Sequence, residues 1–552
     1  MIKNTTILSV ALACTVVFTA SAQNTNEKYS WNNLPTAERP VFKADTFNIV
    51  TYGAKPDGTT LNTESINKAI VDCNAKGGGV VAIPQGVWLT GPIVLKSNVN
   101  LYISRSALVQ FTADKNQYHL IEGNYEGHKS IRNESPISGT NLTNIAITGE
   151  GVVDGHGEVW RAMGKDRVTD REWQDMTATG SISSDGKMWY PSDSYAKGAK
   201  TKDAGYMQAG KSLQDYQDIK DFFRPNMVVL NNCKKVLLQN TTFQNSPDWC
   251  LHTLQCEDLT FDGVHVRNEA NAQNGDGMDI ESCSHVLVEN CTLDCGDDGI
   301  CIKSGKDEEG RKVGKASQYI VVHNNVVYKA HGGFVIGSEM SGGAHDIFVY
   351  DCTFIGTDNG LRFKTVRGRG GIVENIYIKN IAMHNIVHDA VLFDMYYFAK
   401  APTLAQTNGK VDIPAVDEGT PQFRNFYISN LVCEGAERAM LIRGLPEMSI
   451  KNIFLENVHI AAGKGADIIE AQNVQLKNVA FQCALPNPLI NIENSHDITF
   501  DKIESTISPN LFFSINGDRT KQIMVRNTDL SNSKHSTDFK FGADKSDITI
   551  AN

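Results

Sequence analysis

The sequence predicts an all-β chain folded as a single-domain parallel β-helix, with an N-terminal capping helix and loop insertions. Three observations predict it. A short pattern recurs along the chain: two or three polar residues, an apolar-x-apolar triplet, then Asn, Asp or Gly. Clear copies begin at 143, 234, 257, 284, 318, 345, 374, 424 and 451, and weaker ones at 472, 496, 521 and 546. The copies are evenly spaced. From Leu259 the first apolar residues run Val286, Ile320, Ile347 and Ile376, in steps of 27, 34, 27 and 29. From Phe426 they run Ile453, Val474, Ile498, Ile523 and Ile548, in steps of 27, 21, 24, 25 and 25. Finally, the apolar residues alternate with period two, so each copy is a strand with one buried face.

Strands recurring at that interval without helical periodicity stack as coils about 4.8 Å apart. The closing Asn or Gly tolerates positive φ at a corner. Evenly repeated single strands argue against an array of β-sandwiches, which carry hairpins with two-residue turns. The Leu-x-x-Leu-x-Leu pattern of a leucine-rich horseshoe is absent.

The elements follow in order. Residues 1–22 read as a secretory signal: Lys3, a short apolar run over 6–19, and Ala20-Ser21-Ala22 before Gln23. The chain is then exported, to the periplasm or the outside. Residues 23–44 are a polar lead-in, and 45–552 form the solenoid. Residues 63–76 carry an amphipathic helix signal, with Ile66, Ala69, Ile70 and Cys73 on one face. A helix there would cap the raw end of the solenoid. Residues 158–225 contain no copy of the repeat, are polar, and hold Trp160, Trp173, Trp189 and Tyr190. They read as an insertion and a rim of a cleft. A smaller insertion spans 398–420.

Composition narrows the function. Of 552 residues, 41% are hydrophobic and 21% charged, which suits a folded globular protein. The net charge of −11 disfavours nucleic acid or an anionic membrane as partner. The chain is expected to act as a monomer. Of twelve cysteines, Cys233, Cys256 and Cys283 each precede a similar strand and read as small buried core residues. Their spacings fit no zinc pattern, so no metal and no cofactor is expected.

The chemistry falls within residues 274–364. Asn274-Gly275-Asp276 is followed by Gly296-Asp297-Asp298-Gly299, with 22 residues from Asp276 to Asp298. Ala330-His331-Gly332 lies 33 residues further on, and Arg362-Phe363-Lys364 another 31 to 33. Each step is about one coil, so the groups should stack on one patch. Arg362 and Lys364 should point outward and Phe363 inward. Carboxylates at close range cannot all ionise freely, so at least one should hold a proton. A protonated carboxyl beside an ionised one suits general acid and base work. The cation pair suits an anionic substrate. Each motif alone is an ordinary turn or a solvated strand face. All four in coil register are not.

These motifs resemble family 28 of the glycoside hydrolases, the polygalacturonase family. Tyr52-Gly53-Ala54, Asp57-Gly58-Thr59, Gly77-Gly78-Gly79-Val80, Gly151-Val152-Val153-Asp154-Gly155 and Asn245-Ser246-Pro247-x-Trp249 fit it too. The resemblance implies a right-handed parallel β-helix that hydrolyses galacturonate-containing pectin with inversion and without a metal. It implies Asp297 as general acid, with Asp276 and Asp298 holding and deprotonating the attacking water. His331 would sustain the protonation of the acid and orient the sugar. Arg362 and Lys364 would bind the substrate carboxylate, and Asn274 and Tyr397 would contact substrate, Tyr396 being the alternative for the tyrosine. Gly275, Ala330 and Phe363 depart from the family's Thr, Gly and Ile, and none of these removes a reacting group.

His331 and the cation pair favour galacturonate over the family's rhamnogalacturonan-directed branch. The insertion at 158–225 favours exo action, because exo-acting members close one end of the cleft. Arg367 and Arg369 either add grip or form a basic turn. A pectate or pectin lyase would eliminate instead, usually with calcium, and fits His331 and the cation register less well. A non-catalytic polysaccharide-binding β-helix would use the aromatic insertion as its platform.

Overall fold

The computed structural model describes residues 29–551. The segment read as a secretory signal lies outside them. Two compact units are distinguished, Met1–Leu34 and Pro35–Asn552. In the first, Ser30 and Asn33 form an antiparallel bridge. The second is a right-handed parallel β-helix, with 23-stranded and 14-stranded sheets running its length.

Every copy of the repeat forms a strand, and the strands pair in the register the apolar series implies. Leu259 pairs with Val286, Val286 with Ile320, Ile320 with Ile347 and Ile347 with Ile376. Phe426, Ile453, Val474, Ile498, Ile523 and Ile548 continue it. The 50-residue gap between the two series is a single coil, since Ile376 pairs directly with Phe426 and residues 398–420 loop out between them. These side chains from Leu259 to Ile523 are at most 2% exposed. Burying each contributes roughly 1.5–3 kcal/mol, which is why the register resists slippage.

The corner residues take left-handed backbone. Asn380, Asn430, Asn457 and Asn478 have φ of 56°, 53°, 57° and 52°. Their amides hydrogen-bond from coil to coil at 3.0, 3.3 and 2.8 Å. A second asparagine ladder, Asn375–Asn425–Asn452–Asn473, sits at the start of the same copies, at 3.1, 2.7 and 2.8 Å. Asn suits both places because it tolerates positive φ and its amide both donates and accepts.

The helix Thr63–Ala75 packs across the first coils and buries Ile66, Ala69, Ile70 and Cys73. The polar stretch before the first strand also follows the solenoid. Glu38 N donates to Asp258 Oδ1 at 3.1 Å and Val41 N to Asn144 Oδ1 at 2.9 Å. Both acceptors belong to left-handed residues whose side chains project from the coils. The eleven described cysteines are buried free thiols, and Cys256 N donates to Cys283 Sγ in the next coil at 3.3 Å.

The insertion holds the helices Asp170–Thr177 and Asp193–Ala199, the 3₁₀ segment Leu213–Phe222 and a small antiparallel sheet. Of its aromatic residues, Trp160 and Trp189 are buried, while Trp173 and Tyr190 are partly exposed. Trp160 packs edge-on against Tyr118 at 5.2 Å, and Trp189 donates to Thr179 O at 2.7 Å. The insertion shares a separate apolar cluster with an antiparallel hairpin, Leu120–Tyr125 and His128–Asn133. Leu120 and Ile131 of the hairpin meet Ala204, Tyr216, Ile219 and Phe223.

Candidate active site

The site lies on the 14-stranded sheet, where Met278–Glu281, Ile300–Lys303, Phe334–Ile336, Leu361–Lys364 and Asp389–Asp394 lie on consecutive coils. Met278, Ile300, Phe334, Leu361 and Val391 share one register position. Counting back from them puts Asp276 beside Asp298, and Asp297 beside His331 beside Asp358. Backbone hydrogen bonds hold that register up to the turns: Gly277 N to Asp298 O at 2.9 Å and His331 N to Asp297 O at 2.9 Å. The glycine closing the aspartate pair is needed for packing, because a Cβ at Gly299 would lie 2.6 Å from Val327. Phe363 enters the core as expected, and Arg362 and Lys364 face out.

The four motifs converge. One oxygen from each of Asp276, Asp297 and Asp298 lies within 4.8 Å of the others. Arg362 Nη1 donates to Asp298 Oδ1 at 2.8 Å and Lys364 Nζ to Oδ2 at 2.7 Å. The Cys301 thiol lies against the same Oδ2 at 3.7 Å. His331 Nδ1 is 2.9 Å from Asp297 Oδ1, and its Nε2 is 3.8 Å from Asp358 Oδ2. Tyr397 stands over the cations, its ring centre 4.7 Å from Lys364 Nζ and 5.7 Å from the Arg362 guanidinium. Tyr396 is buried beside Arg367 and Arg443 instead. Asn274 takes left-handed backbone, and its Oδ1 accepts from Arg224 at 2.8 Å.

The electrostatics separate the carboxyls. Burial works against the charge of Asp298, yet Lys364, Arg362 and Lys303 together hold its carboxyl well below the usual range. Burial raises Asp276 well above that range, with Asp279 and Asp297 adding to it. The hydrogen bond to Asp297 raises His331. Asp276 and Asp298 thus differ in proton affinity although they lie side by side.

Several supporting residues carried no signal of their own. Lys303 is buried, with Nζ 3.1 Å from Glu339 and 3.5 Å from Asp279, and lies 4.6 Å over the Trp249 ring. Asp279 and Lys303 sit at outward positions three and five residues after Asp276 and Asp298, so coil register could have found them. His252 Nε2 meets Glu281 at 2.8 Å beneath. Asp248 is bound by Arg132 and lies 3.6 Å from Arg224. Arg367 and Arg369 are not part of the cluster: Glu447 takes the first and Asp307 the second.

The hairpin forms a wall beside the site. Its base lies against Phe223, and its tip rests on the loop after Lys303. There Lys306 Nζ pairs with Glu126 at 2.6 Å and Lys129 N donates to Glu309 at 3.2 Å.

Comparisons with known proteins show what the chain is similar to. The family model described as glycosyl hydrolases family 28 matches residues 167–474, and one described as rhamnogalacturonase A/epimerase, pectate lyase-like matches 46–180. A probable polygalacturonase of Vitis vinifera is 26% identical over 432 residues, 76% of this chain and 75% of that protein. An exo-poly-alpha-D-galacturonosidase of Dickeya chrysanthemi is 27% identical over 448 residues, 79% of this chain and 70% of that protein. Among solved structures, a hyperthermoactive exopolygalacturonase of Thermotoga maritima is 28% identical with a TM-score of 0.66, covering 81% of this chain and 94% of that one. A family 28 exopolygalacturonase of Yersinia enterocolitica shares the fold at 21% identity and a TM-score of 0.64, covering 85% and 79%.

Proposed function

Because the chain belongs to family 28 of the glycosyl hydrolases, we propose that it hydrolyses galacturonide bonds of pectin from the chain end. The observation that carries this reading is the capture of Asp298 by Arg362 and Lys364 beside the Asp297–His331 pair. A site with two converging cations and an acid next to them fits an anionic sugar whose glycosidic oxygen must be protonated.

The steps follow from the charges. The substrate carboxylate binds Arg362 and Lys364, under Tyr397. Sharing its cations with a second carboxylate raises the proton affinity of Asp298. Asp298 thereby becomes a base only when substrate is present. Asp297 gives its proton to the leaving oxygen while His331 holds the other side of that hydrogen bond. A water held between Asp276 and Asp298 attacks the anomeric carbon and passes its proton to Asp298. The usual spacing rule assigns about 6.5–9.5 Å between two carboxyls to inversion and about 5–5.5 Å to retention. Oxygens within 4.8 Å do not meet the first value. Inversion is proposed here on the family's reaction and on the water held by two carboxyls.

The hairpin wall supports exo action, because its Arg132 binds Asp248 next to Arg224, the partner of Asn274, and its tip rests on the loop after Lys303. The similarity to the Dickeya exo-poly-alpha-D-galacturonosidase and the Thermotoga exopolygalacturonase supports it too. The N-terminal segment read as a leader would export the enzyme to its polymeric substrate. No described helix is long and apolar enough to cross a membrane. Digesting polygalacturonic acid and rhamnogalacturonan in parallel tests the reading. Saturated short galacturonides from the first polymer, early in the reaction, support it. An oligomer ladder refutes exo action, and unsaturated products refute hydrolysis.

A further inference from the structure

We propose that Asp358 is a positioning residue for this reaction: it faces His331 from the side opposite Asp297 and holds the imidazole in its doubly protonated form. The proposal rests on the reading of Asp297 and His331 given above. Asp297, His331 and Asp358 occupy one register position on three consecutive coils. His331 N donates to Asp297 O at 2.9 Å, and Asn359 donates through N and Nδ2 to His331 O at 3.2 and 3.0 Å. The backbone therefore fixes the histidine between its two neighbours. The imidazole presents Nδ1 to Asp297 at 2.9 Å and Nε2 to Asp358 at 3.8 Å.

An imidazole hydrogen-bonded at one edge can be neutral or charged. A carboxylate at the Nε2 edge favours the form with two N–H donors, whose Nδ1–H then faces one oxygen of Asp297 while the other oxygen keeps the acid's proton. Other charges near the ring do not replace Asp358. From the coil on one side come Asp297 and Asp298. From the other side come Asp358 and Arg362, and the Arg362 guanidinium is turned to Asp298. In the coil beyond, His388 shares the register of Asp358, but its ring meets Glu437 at 3.5 Å, and Glu437 in turn takes Lys464 at 2.9 Å. Among the described residues, the Asp358 carboxylate has no other cation within ion-pair distance than His331. Asp358 is thus the carboxylate that faces the Nε2 edge of His331. Asp358 and His331 are both half-exposed, so the expected effect is that of a surface pair: a shift of about 0.3–0.7 pH unit.

The test reads the proton on His331 directly. In histidine-labelled protein the His331 signal is assigned by its loss in His331→Gln and titrated by NMR. The pH profile of kcat/KM on polygalacturonic acid is measured beside it. In Asp358→Asn, the His331 titration and the alkaline limb should both move down by that amount. The loss of rate should then grow with pH to about two- to fivefold, and Asp358→Glu should restore both readouts. An unmoved His331 titration in Asp358→Asn overturns the proposal and leaves the Asp297–His331 reading standing. A titration that moves while the alkaline limb does not means that the His331 proton is not used in the reaction, which overturns that reading and the positioning role with it.

Discussion

Asp276 and Asp298 stand one coil apart in the same register, and their surroundings push their proton affinities in opposite directions. Burial is the first influence on both. Asp298 escapes it because two cations donate to its two oxygens, at 2.8 and 2.7 Å. Asp276 has carboxylates for neighbours, with Lys303 opposing them.

That asymmetry predicts opposite stability changes. A carboxyl held low in the folded state contributes stability above its unfolded pKa and loses it as pH falls through the folded value. A carboxyl held high costs stability above its unfolded pKa. Asp298→Asn should therefore destabilise at pH 7 by about 3–5 kcal/mol, since it leaves Arg362 and Lys364 buried without their partner. Asp276→Asn should stabilise by about 0.5–2 kcal/mol, as relief of active-site strain does. Denaturant midpoints of both variants check this, and the reverse order would show that the cation clamp is not structural.

Asp297→Asn should lower kcat by about 10²–10⁴-fold with KM little changed, the scale of a lost general acid. Steady-state kinetics on oligogalacturonides measure it. A loss below about tenfold would remove Asp297 from that role.

Arg362→Ala should lower kcat/KM by about 100-fold or more, about 2.7 kcal/mol of transition-state stabilisation. It should also narrow the preference for free over methyl-esterified galacturonides. Unaltered kcat/KM would show that the substrate carboxylate lies elsewhere.

The hairpin predicts a change in product length. Breaking its tip contact with Glu126→Ala, which frees Lys306, should add longer oligomers to the early products if the wall blocks the polymer. Product mass profiles that match the parent would mean that the hairpin does not set exo action.

The fold was legible because its information is local and repeated. One apolar triplet, read from Leu259 to Ile548, carries the whole register, and the closing Asn or Gly marks each left-handed corner. The site was legible because a step of about one coil in sequence becomes adjacency in space, which brought Asp276, Asp298, His331 and Lys364 together. The rest depends on contacts that no local pattern encodes. The hairpin at Leu120–Asn133 is short and mostly polar, and its apolar partners lie in the insertion some 80 residues on. Arg224 meets Asn274 across 50 residues. The aromatic residues of the insertion read as a binding surface, yet Trp160 and Trp189 are needed inside it.

The most direct measurement is the anomer released first from polygalacturonic acid, followed by proton NMR under conditions where mutarotation is slow. Hydrolysis of an α-linked galacturonide with inversion predicts saturated galacturonate appearing as the β-anomer. The α-anomer first would contradict the two-carboxyl water mechanism, and an unsaturated product would contradict hydrolysis itself.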